Sequence, residues 1–336
     1  MSTYRAFEAT GPEDFTLVDR ELRPPAPREV RVLVEACGIC HTDAFAVSGA
    51  SAERPVVPGH EIVGVVDAVG AGVTAWSVGD RVGVGFLGGQ CGECERCRRG
   101  DFVNCADQAR IGMSVDGGFA EYVYTRGTGL VRVPDGMPSV EAAPLLCAGL
   151  TVFNAIQTAK APAGSLVAVQ GIGGLGHLGV QYAAKLGYEV VAIARGTDKA
   201  EQALGLGADH YVDSSAVDPG QALADLGGAT AIIATATSGK SMEPLITGLA
   251  PKGVLVIVGG GLDPLSLNTT RLVIGERAVV GTLTGSAIDN EDSLAFSARR
   301  GIRPLVETMP VEQVSQAFAR MLSGKARFRV VLEMKP

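Results

Sequence analysis

The sequence predicts an α/β protein of two domains, one rich in β-strands and one built on a doubly wound parallel sheet. Two observations indicate this division. Short β-rich runs bounded by glycine, proline and Asp-Gly turns fill about the first 135 of the 336 residues. From about residue 164, strands alternate with helical stretches, which is typical of a parallel sheet with helices on both faces. A chain of this length has room for two hydrophobic cores.

The predicted elements follow that division along the chain. In the first part, apolar runs that end at turn residues predict strands at 30–35, 62–69, 81–86 and 120–125. In the second part, we expect a helix over 175–186, a strand near Tyr211 and further strands at 165–170, 189–194, 230–235, 254–258 and 278–283. A helix near 311–322 and a strand at 328–332 resemble the first part again, so the C-terminus is expected to fold back onto the N-terminal domain. The predicted domains are therefore 1–146 with 288–336, and 147–287.

Composition and charge exclude several classes of protein. A net charge of −7 and a pI near 5.2 disfavour nucleic-acid binding, which needs a cationic face. There is no run of 18 apolar residues, so no membrane association is expected. The opening residues MSTYRAFEAT do not resemble an apolar export signal, and we expect a cytoplasmic, reducing location.

Four cysteines in one short segment have the spacing of a metal site. They follow the pattern C-x2-C-x2-C-x7-C and are Cys91, Cys94, Cys97 and Cys105. Four thiolates complete a tetrahedron around Zn²⁺ and leave no position for another ligand, which is typical of a structural site. The alternatives are a disulfide cluster, which a reducing location disfavours, and a nucleic-acid-binding zinc ribbon, which the negative charge disfavours.

A glycine-rich turn predicts a dinucleotide site. The turn lies directly after an apolar strand and directly before a helix, and its residues are Gly171, Ile172, Gly173, Gly174, Leu175 and Gly176. In the G-x-G-x-x-G pattern the glycines allow a tight turn, a close approach of the backbone to pyrophosphate, and packing of the helix on the sheet. The helix N-terminus then faces the phosphates. The alternative is a merely tight turn between strand and helix.

The end of the second strand of this domain bears on the choice of nicotinamide cofactor. An acid at this position usually binds the ribose 2′-hydroxyl, but here the strand ends at Ala194 and Arg195 follows. Arg195, supported by Thr197 and Lys199, would pair with a 2′-phosphate, so the sequence favours NADP(H) over NAD(H). Alternatively, Arg195 stacks on the adenine and the site accepts either cofactor.

Five motifs in order resemble the zinc-dependent medium-chain alcohol dehydrogenases over essentially the whole chain. They are Cys37-Gly38-Ile39-Cys40-His41-Thr42-Asp43, Gly59-His60-Glu61-x2-Gly64-x5-Gly70-x2-Val73, the four-cysteine segment, Cys147-Ala148-Gly149-Leu150-Thr151 and the glycine-rich turn. The resemblance implies a GroES-like β-rich catalytic domain and a Rossmann dinucleotide-binding domain. It also implies two Zn²⁺ ions per chain, one structural and one catalytic.

The resemblance assigns roles to residues outside the four-cysteine segment. Cys40, His60 and Cys147 would hold the catalytic zinc and leave one position open, and Glu61 can approach the metal in related enzymes. Asp43 would accept a hydrogen bond from His60 and fix its tautomer. The other implied roles are proton transfer for Thr42, cofactor pyrophosphate binding for His41, nicotinamide contact for Thr151 and cofactor phosphate binding for Arg329.

One position departs from the family pattern. Several members carry a proton-relaying histidine three residues after Thr42, and this chain has Phe45 there. We therefore expect Phe45, together with Phe86 and Leu87, to shape an apolar substrate pocket. Cys37 is interpreted as an ordinary buried thiol, and His177 and His210 as surface or helix-start residues.

The predicted function is a zinc-dependent alcohol dehydrogenase or aldehyde reductase that uses NADP(H) to interconvert a small alcohol and its aldehyde. A polyol or amino-alcohol dehydrogenase is the alternative within enzymes, and the apolar pocket disfavours it. A non-catalytic nicotinamide-binding redox sensor is the alternative from another class. It would predict the loss of a zinc ligand or of the Thr42 hydroxyl, and all are present. Family members of this length are often tetramers, so a homotetramer, or else a dimer, is expected.

Overall fold

The structure is a computed structural model that describes residues 2–11, 14–50 and 53–334. It divides into two compact units. The first unit comprises Met1–Leu150 and Gly285–Pro336, and the second comprises Thr151–Thr284. The boundaries lie inside a helix after Leu150 and directly after Thr284.

The elements of the N-terminal segment are mainly strands. In chain order they are β1 (Thr3–Gly11), β2 (Asp14–Glu21), β3 (Glu29–Ile39), α1 (His41–Ser48), β4 (Glu61–Val69), β5 (Arg81–Val84), α2 (Glu95–Arg98), β6 (Tyr122–Arg126), β7 (Leu130–Arg132) and α3 (Ser139–Pro144). A π-helical segment, Leu145–Gly149, continues α3 directly into α4 (Leu150–Ala159).

Strands and helices alternate through the second unit. They are β8 (Leu166–Gln170), α5 (Gly176–Lys185), β9 (Glu189–Ala194), α6 (Ala200–Gly205), β10 (His210–Asp213), α7 (Pro219–Asp225), β11 (Ala229–Ala234), α8 (Gly239–Met242), β12 (Leu249–Ile257), α9 (Thr269–Gly275) and β13 (Ala278–Gly281). The C-terminal segment adds α10 (Ala287–Arg300), β14 (Val306–Pro310), α11 (Val314–Leu322) and β15 (Arg329–Glu333).

The second unit contains a six-stranded parallel sheet with the order β10-β9-β8-β11-β12-β13. This is the doubly wound order of a Rossmann domain, in which the strand sequence reverses between β8 and β11. Ligands of such sheets bind at the carboxyl ends of the strands at that reversal. The predicted parallel-sheet domain is confirmed.

The first unit contains a seven-stranded sheet with the order β14-β15-β3-β4-β5-β7, in which β6 also pairs with β3. The C-terminal strand β15 is antiparallel to β3, with Val330 opposite Ile39 and Leu332 opposite Cys37. This pairing confirms the expectation that the C-terminus folds back onto the N-terminal part. The separate β1–β2 hairpin, β14 and α10 were not predicted from the sequence.

The start and the end of helix α10 are explained by residues at its caps. Helix α10 begins with a capping box in which Ser286 and Asp289 bond reciprocally, and it ends at Gly301, whose φ is +69°.

His177 is fully buried in the first turn of α5, so the surface interpretation of this histidine was wrong and the helix-start interpretation was right. Its Nδ1 lies 2.9 Å from the Gly173 carbonyl oxygen, which gives the buried ring a polar partner.

The helical stretch Ser139–Ala159 is long and apolar enough to cross a membrane by length and composition alone. However, 72% of its most apolar 18-residue stretch is buried inside the structure. Burial of this extent is typical of a core helix, whose apolar faces are covered by the rest of the fold.

The C-terminal helix α11 is attached to the β-rich core by aromatic packing. Phe318 is 1% exposed, and its ring centroid lies 5.1 Å from that of Phe15 in β2. Phe15 in turn lies 6.2 Å from Phe119. Aromatic pairs at these distances add favourable edge contacts to the burial of their large apolar surfaces.

We predict that Phe318→Ala lowers the free energy of unfolding of the first unit by about 3–5 kcal/mol, because it leaves a cavity beside Phe15. Urea unfolding followed through the fluorescence of Trp76, the single tryptophan, reports on this unit. Leu17→Ala on β2 is the control, since Leu17 is 51% exposed and its loss should cost less than about 0.5 kcal/mol. Equal effects of the two substitutions would contradict the prediction.

Candidate active site and metal centres

Four side chains from three distant segments converge in the first unit. Cys40, His60, Glu61 and Cys147 are all buried, and one potential ligand atom of each lies within 4.8 Å of the others. Cys40 follows β3 as the N-cap of α1, and His60 and Glu61 lie at the start of β4. Because Gly38 pairs with Glu61 across β3 and β4, the first two segments meet through the sheet register.

Asp43 organises this cluster. Its carboxylate accepts hydrogen bonds from the Cys40 N–H at 2.8 Å, the Gly59 N–H at 3.1 Å and His60 Nδ1 at 2.9 Å. A carboxylate only accepts, so His60 carries its proton on Nδ1 and the Nε2 lone pair remains available. His60 Nε2 is buried and has no hydrogen-bond partner among the described residues. This unpaired nitrogen beside two thiols fits a zinc ion, which binds imidazole and thiolate ligands.

The two thiols of the cluster are coupled to each other. A hydrogen bond from Cys147 lowers the pKa of Cys40 well below its usual value, and the same contact raises the pKa of Cys147. Cys37 lies outside this cluster; it is fully buried, and burial raises the pKa of its thiol. Cys37 therefore lies in the core as a neutral thiol, in agreement with its sequence interpretation.

The acid of the cluster has a buried cationic partner. Arg329 Nη2 lies 2.7 Å from both carboxylate oxygens of Glu61 and donates to the Ile39 carbonyl at 2.8 Å. Burial raises the pKa of Glu61 to about 7, and the Arg329 guanidinium opposes this by favouring the carboxylate. Arg329 thus lies against Glu61 in the structure, and its contact with cofactor phosphates stays a prediction.

The second set of thiols lies in the segment after β5. The sulfur atoms of Cys105 and Cys91 are 3.6 Å apart, those of Cys91 and Cys97 3.9 Å, and those of Cys94 and Cys105 4.0 Å. A tetrahedron with Zn–S bonds of about 2.3 Å has edges of about 3.8 Å. All seven cysteines are free thiols, so the four are arranged for a metal rather than joined as disulfides. The four-thiolate segment fits a structural zinc.

Backbone groups support the same arrangement. The N–H groups of Glu93 and Cys94 point to Cys91 Sγ at 3.4 Å, and that of Cys97 points to Cys94 Sγ at 3.5 Å. Hydrogen bonds from the backbone N–H groups of Ala106 and Cys97 lower the pKa of Cys94 to about 6, and those from Glu93 and Cys94 lower the pKa of Cys91. Amide donors of this kind stabilise the thiolate form that a metal requires.

Two arginines outside the cysteine pattern, neither of them predicted from the sequence, anchor this segment. Arg126 in β6 donates to the Gly89 carbonyl at 3.2 Å before the segment and to the Asp107 carbonyl at 2.6 Å after it. Arg28 donates to the Cys91 carbonyl at 2.8 Å and pairs with Glu93 at 3.1 Å. Both arginines lie in β-rich parts of the sequence, but no motif or spacing links them to the cysteines. Their contacts with the cysteine segment could therefore not be predicted from the sequence.

The glycine-rich turn joins β8 to α5 in the second unit, as predicted. Gly171 has φ +92°, and a Cβ at Gly176 would lie 1.9 Å from the Gly171 carbonyl oxygen. No other residue fits at Gly176 without moving the backbone. Thr235, which follows β11, donates to the Gly171 carbonyl at 2.7 Å and so ties the turn to the strand at the sheet reversal.

The turn after β9 carries the predicted 2′-phosphate residues. Arg195 is exposed, and Lys199 directly precedes α6. The neighbouring strand β10 holds this turn from both sides, because Gly196 N–H donates to Asp213 Oδ1 at 2.7 Å and Tyr211 donates to the Gly196 carbonyl at 2.7 Å. Asp213, which was not predicted from the sequence, lies opposite Ala194 in the register of β9 and β10.

The remaining predicted residues differ in their exposure and in what they contact. The Phe86 ring meets His60 edge to face, with centroids 5.4 Å apart, whereas Phe45 on α1 is 48% exposed. Leu87 is partly exposed and forms an isolated bridge with Arg110. The other members of the predicted set lie at helix starts: His41 and Thr42 on α1, and the buried Thr151 on α4.

Comparison with known families agrees with this arrangement. The description "Alcohol dehydrogenase GroES-like domain" matches residues 26–135, and "Zinc-binding dehydrogenase" matches residues 174–299. The chain is 44% identical over 338 residues to alcohol dehydrogenase patD of Penicillium expansum, which covers 99% of this chain and 98% of the relative. It is 37% identical over 336 residues to aldehyde reductase AdhA of Synechocystis, with the same coverage.

Solved structures lead to the same family. Cinnamyl alcohol dehydrogenase SbCAD4 from Sorghum bicolor superimposes with a TM-score of 0.89 and 33% identity, covering 99% of this chain and 98% of the other. A Helicobacter pylori CAD complexed with NADP(H) gives a TM-score of 0.87 at 27% identity, covering 98% of each chain. The rspB alcohol dehydrogenase of E. coli CFT073, complexed with NADH, gives 0.91 at 26%, covering 99% and 100%.

The chain therefore belongs to the zinc-type medium-chain dehydrogenase/reductase family. Within that family, its relatives place it among the alcohol dehydrogenases and aldehyde reductases.

Proposed function

We propose that this protein is a zinc-dependent alcohol dehydrogenase, active as an aldehyde reductase, that prefers NADP(H) to NAD(H). The observation that carries the proposal is the buried cluster of Cys40, His60, Glu61 and Cys147. Two thiols and one imidazole nitrogen provide three zinc ligands, and a catalytic zinc keeps a further position for substrate. The four-cysteine segment, which lacks such an opening, would hold the second zinc.

A zinc ion held there would polarise the substrate oxygen as a Lewis acid, while the nicotinamide would exchange the hydride. The protein supplies the positioning and the proton. Asp43 holds His60 in the tautomer that directs Nε2 into the cluster. Thr42, two residues after Cys40, would take the proton from the alcohol during oxidation and return it to the carbonyl oxygen during reduction.

The proposed substrates are primary alcohols and aldehydes with apolar groups. Phe86 packs against the edge of His60, so apolar surface lies directly beside a proposed metal ligand. Phe45 and Leu87 would extend this apolar surface. Apolar walls exclude water and strengthen the electrostatic interactions of the reacting oxygen.

The assembly proposed for this enzyme is a homotetramer, or else a dimer, in the cytoplasm. Exposed apolar side chains lie directly before and after the edge strand β13 in the chain. Val273 and Ile274 of α9 are 76% and 81% exposed, and Leu283 after β13 is 51% exposed. A second subunit that pairs with this edge would cover both the outer edge of β13 and the apolar surface.

The experiment that tests the function is a steady-state screen of aliphatic and aromatic aldehydes with NADPH and NADH in parallel. The proposal expects turnover of apolar aldehydes, with the higher catalytic efficiency for NADPH. A polyol as the best substrate, or no turnover with any aldehyde or alcohol, would contradict it.

We predict two zinc ions per chain with unequal roles. Cys97→Ser should leave less folded protein, because a structural zinc contributes directly to folding free energy. His60→Ala should fold and lose nearly all turnover, because it removes a ligand of the catalytic metal. The measurements are the yield of folded protein, the turnover and the zinc content of each purified variant. Cys37→Ala is the control, because Cys37 is a buried thiol outside both sets of ligands and its replacement should leave two zinc ions bound. One zinc or none in active wild-type protein would refute the assignment.

We predict that Arg195→Asp reduces the preference for NADPH. The substitution removes the proposed 2′-phosphate partner and adds a like charge, and a charge-assisted phosphate contact contributes about 1.5–3 kcal/mol, or roughly ten- to hundredfold in affinity. The ratio of kcat/KM for NADPH and NADH measures the change. Arg195→Gln serves as the neutral control that separates lost attraction from added repulsion. Equal efficiency of the unmutated enzyme with both cofactors would rule out the preference.

We predict that Thr42→Val lowers turnover by about 10²-fold or more, the usual scale for a positioned proton-transfer group. Valine keeps the branched shape and removes the hydroxyl. Thr42→Ser keeps the hydroxyl and should retain much of the activity. The pH profile of alcohol oxidation for the three proteins is the measurement. If Thr42→Val turned over at the wild-type rate, Thr42 would have no role in proton transfer.

A further inference from the structure

The helical stretch that carries Cys147 changes its hydrogen-bond register at this residue. In the π-helical segment Leu145–Gly149, the Leu150 N–H bonds to the carbonyl of Leu145, five residues back, and to that of Cys147. In an α-helix the same N–H would bond to the carbonyl of Leu146. The Leu146 carbonyl therefore loses the donor that a regular helix would give it. Pro144, immediately before the segment, has no N–H and favours such an irregularity.

A side chain from another part of the chain replaces that donor. Asn290 in α10 is 2% exposed, and its Nδ2 donates to the Leu146 carbonyl at 3.0 Å. The two residues are 144 positions apart in sequence. Because a backbone carbonyl only accepts, this contact also fixes which end of the Asn290 amide faces the helix.

Asn290 is itself held in place by the anchoring of α10. The capping box of Ser286 and Asp289 fixes the first turn of this helix. Glu291, the next residue, accepts a hydrogen bond from the Arg132 N–H of β7 at 2.9 Å. The amide that meets Leu146 thus projects from a helix whose start is bonded to the sheet.

Strand β5 and the residue after it confine Leu146 from another direction. A Cβ at Gly83 would lie 2.6 Å from a methyl carbon of Leu146, and a Cβ at Gly85 would lie 3.0 Å from the Leu146 carbonyl oxygen. The two glycines leave room for the side chain and the carbonyl of Leu146. Leu146 is therefore confined by glycine backbone and bonded to Asn290, one residue before Cys147.

We propose that Asn290 is a positioning residue that holds the π-helical register and so directs Cys147 to the catalytic metal. A shift of one residue in register turns a helical side chain by about 100° about the axis, which would point the Cys147 thiol away from Cys40 and His60. The donor on Leu146 stabilises the register in which the thiol faces them. This inference rests on the proposed catalytic zinc.

The test compares zinc release and cobalt spectra of the purified holoenzyme and its variants. Asn290→Ala removes the donor, and Asn290→Asp keeps the shape without an amide donor. Zinc release into excess chelator is followed with a colorimetric zinc indicator, and thermal unfolding is followed in parallel. Ser297→Ala is the control, because Ser297 is a fully buried polar residue two turns further along α10 whose hydroxyl donates to the Ser293 carbonyl.

We expect both Asn290 variants to bind the proposed catalytic zinc about 10–100-fold more weakly, the usual range for residues that orient metal ligands. The other zinc and the control should behave as in the wild type. When cobalt replaces zinc at the proposed catalytic site, the variants should show weaker absorption from thiolate-to-cobalt charge transfer, because the Cys147 thiolate no longer binds the metal. A general loss of stability would not cause this change. If alanine at this position prevents folding, the Asp variant gives the same comparison.

Four outcomes would overturn the inference. Wild-type zinc release and cobalt absorption in both variants would show that Asn290 does not direct Cys147. Equal weakening of both zinc ions, or equal weakening in Ser297→Ala, would show a structural role only. A single zinc ion in the wild-type protein would overturn the proposed function itself and this inference with it, which distinguishes the two failures.

Discussion

The carboxylate of Asp43 is the constraint on which the proposed catalytic centre depends. It bonds at the same time to the backbone at Cys40, to the backbone at Gly59 and to the ring of His60. The β3–β4 register brings the two segments together, and Asp43 then fixes their distance and the tautomer of the imidazole. Without this acceptor, two buried N–H groups and a buried ring would each lose a partner, at a cost of about 1–3 kcal/mol for each group.

The same region shows how the fold tolerates buried charge. Glu61 and Arg329 are both almost fully buried and bonded to each other, and Arg329 also donates to the Ile39 carbonyl. Removal of one partner from such a pair is strongly destabilising because it leaves an unpaired buried charge. Since Arg329 comes from β15, the C-terminal strand both completes the sheet and supplies the cation beside the proposed metal ligands.

The two proposed metal sites differ in how the chain builds them. The four cysteines of the proposed structural site lie within 15 residues, so a local turn and backbone amides suffice to gather their sulfur atoms. The proposed catalytic ligands come from segments up to 107 residues apart, from Cys40 to Cys147, and depend on strand register, a buried carboxylate and an irregular helix. The difference suits their tasks, because an open site needs rigid support from outside its ligands.

Local patterns in the sequence determined the parallel-sheet domain, the glycine-rich turn and the four-cysteine segment, because strand–helix alternation, turn residues and short ligand spacings act between near neighbours. The motif order identified the family and named Cys40, His60, Asp43 and Cys147. Only the tertiary structure decided that Arg329 lies against Glu61, that Arg126 anchors the cysteine segment and that Asn290 bonds to the helix beside Cys147. These contacts join residues that are far apart in sequence, and they follow from strand register and helix packing, which no local pattern records.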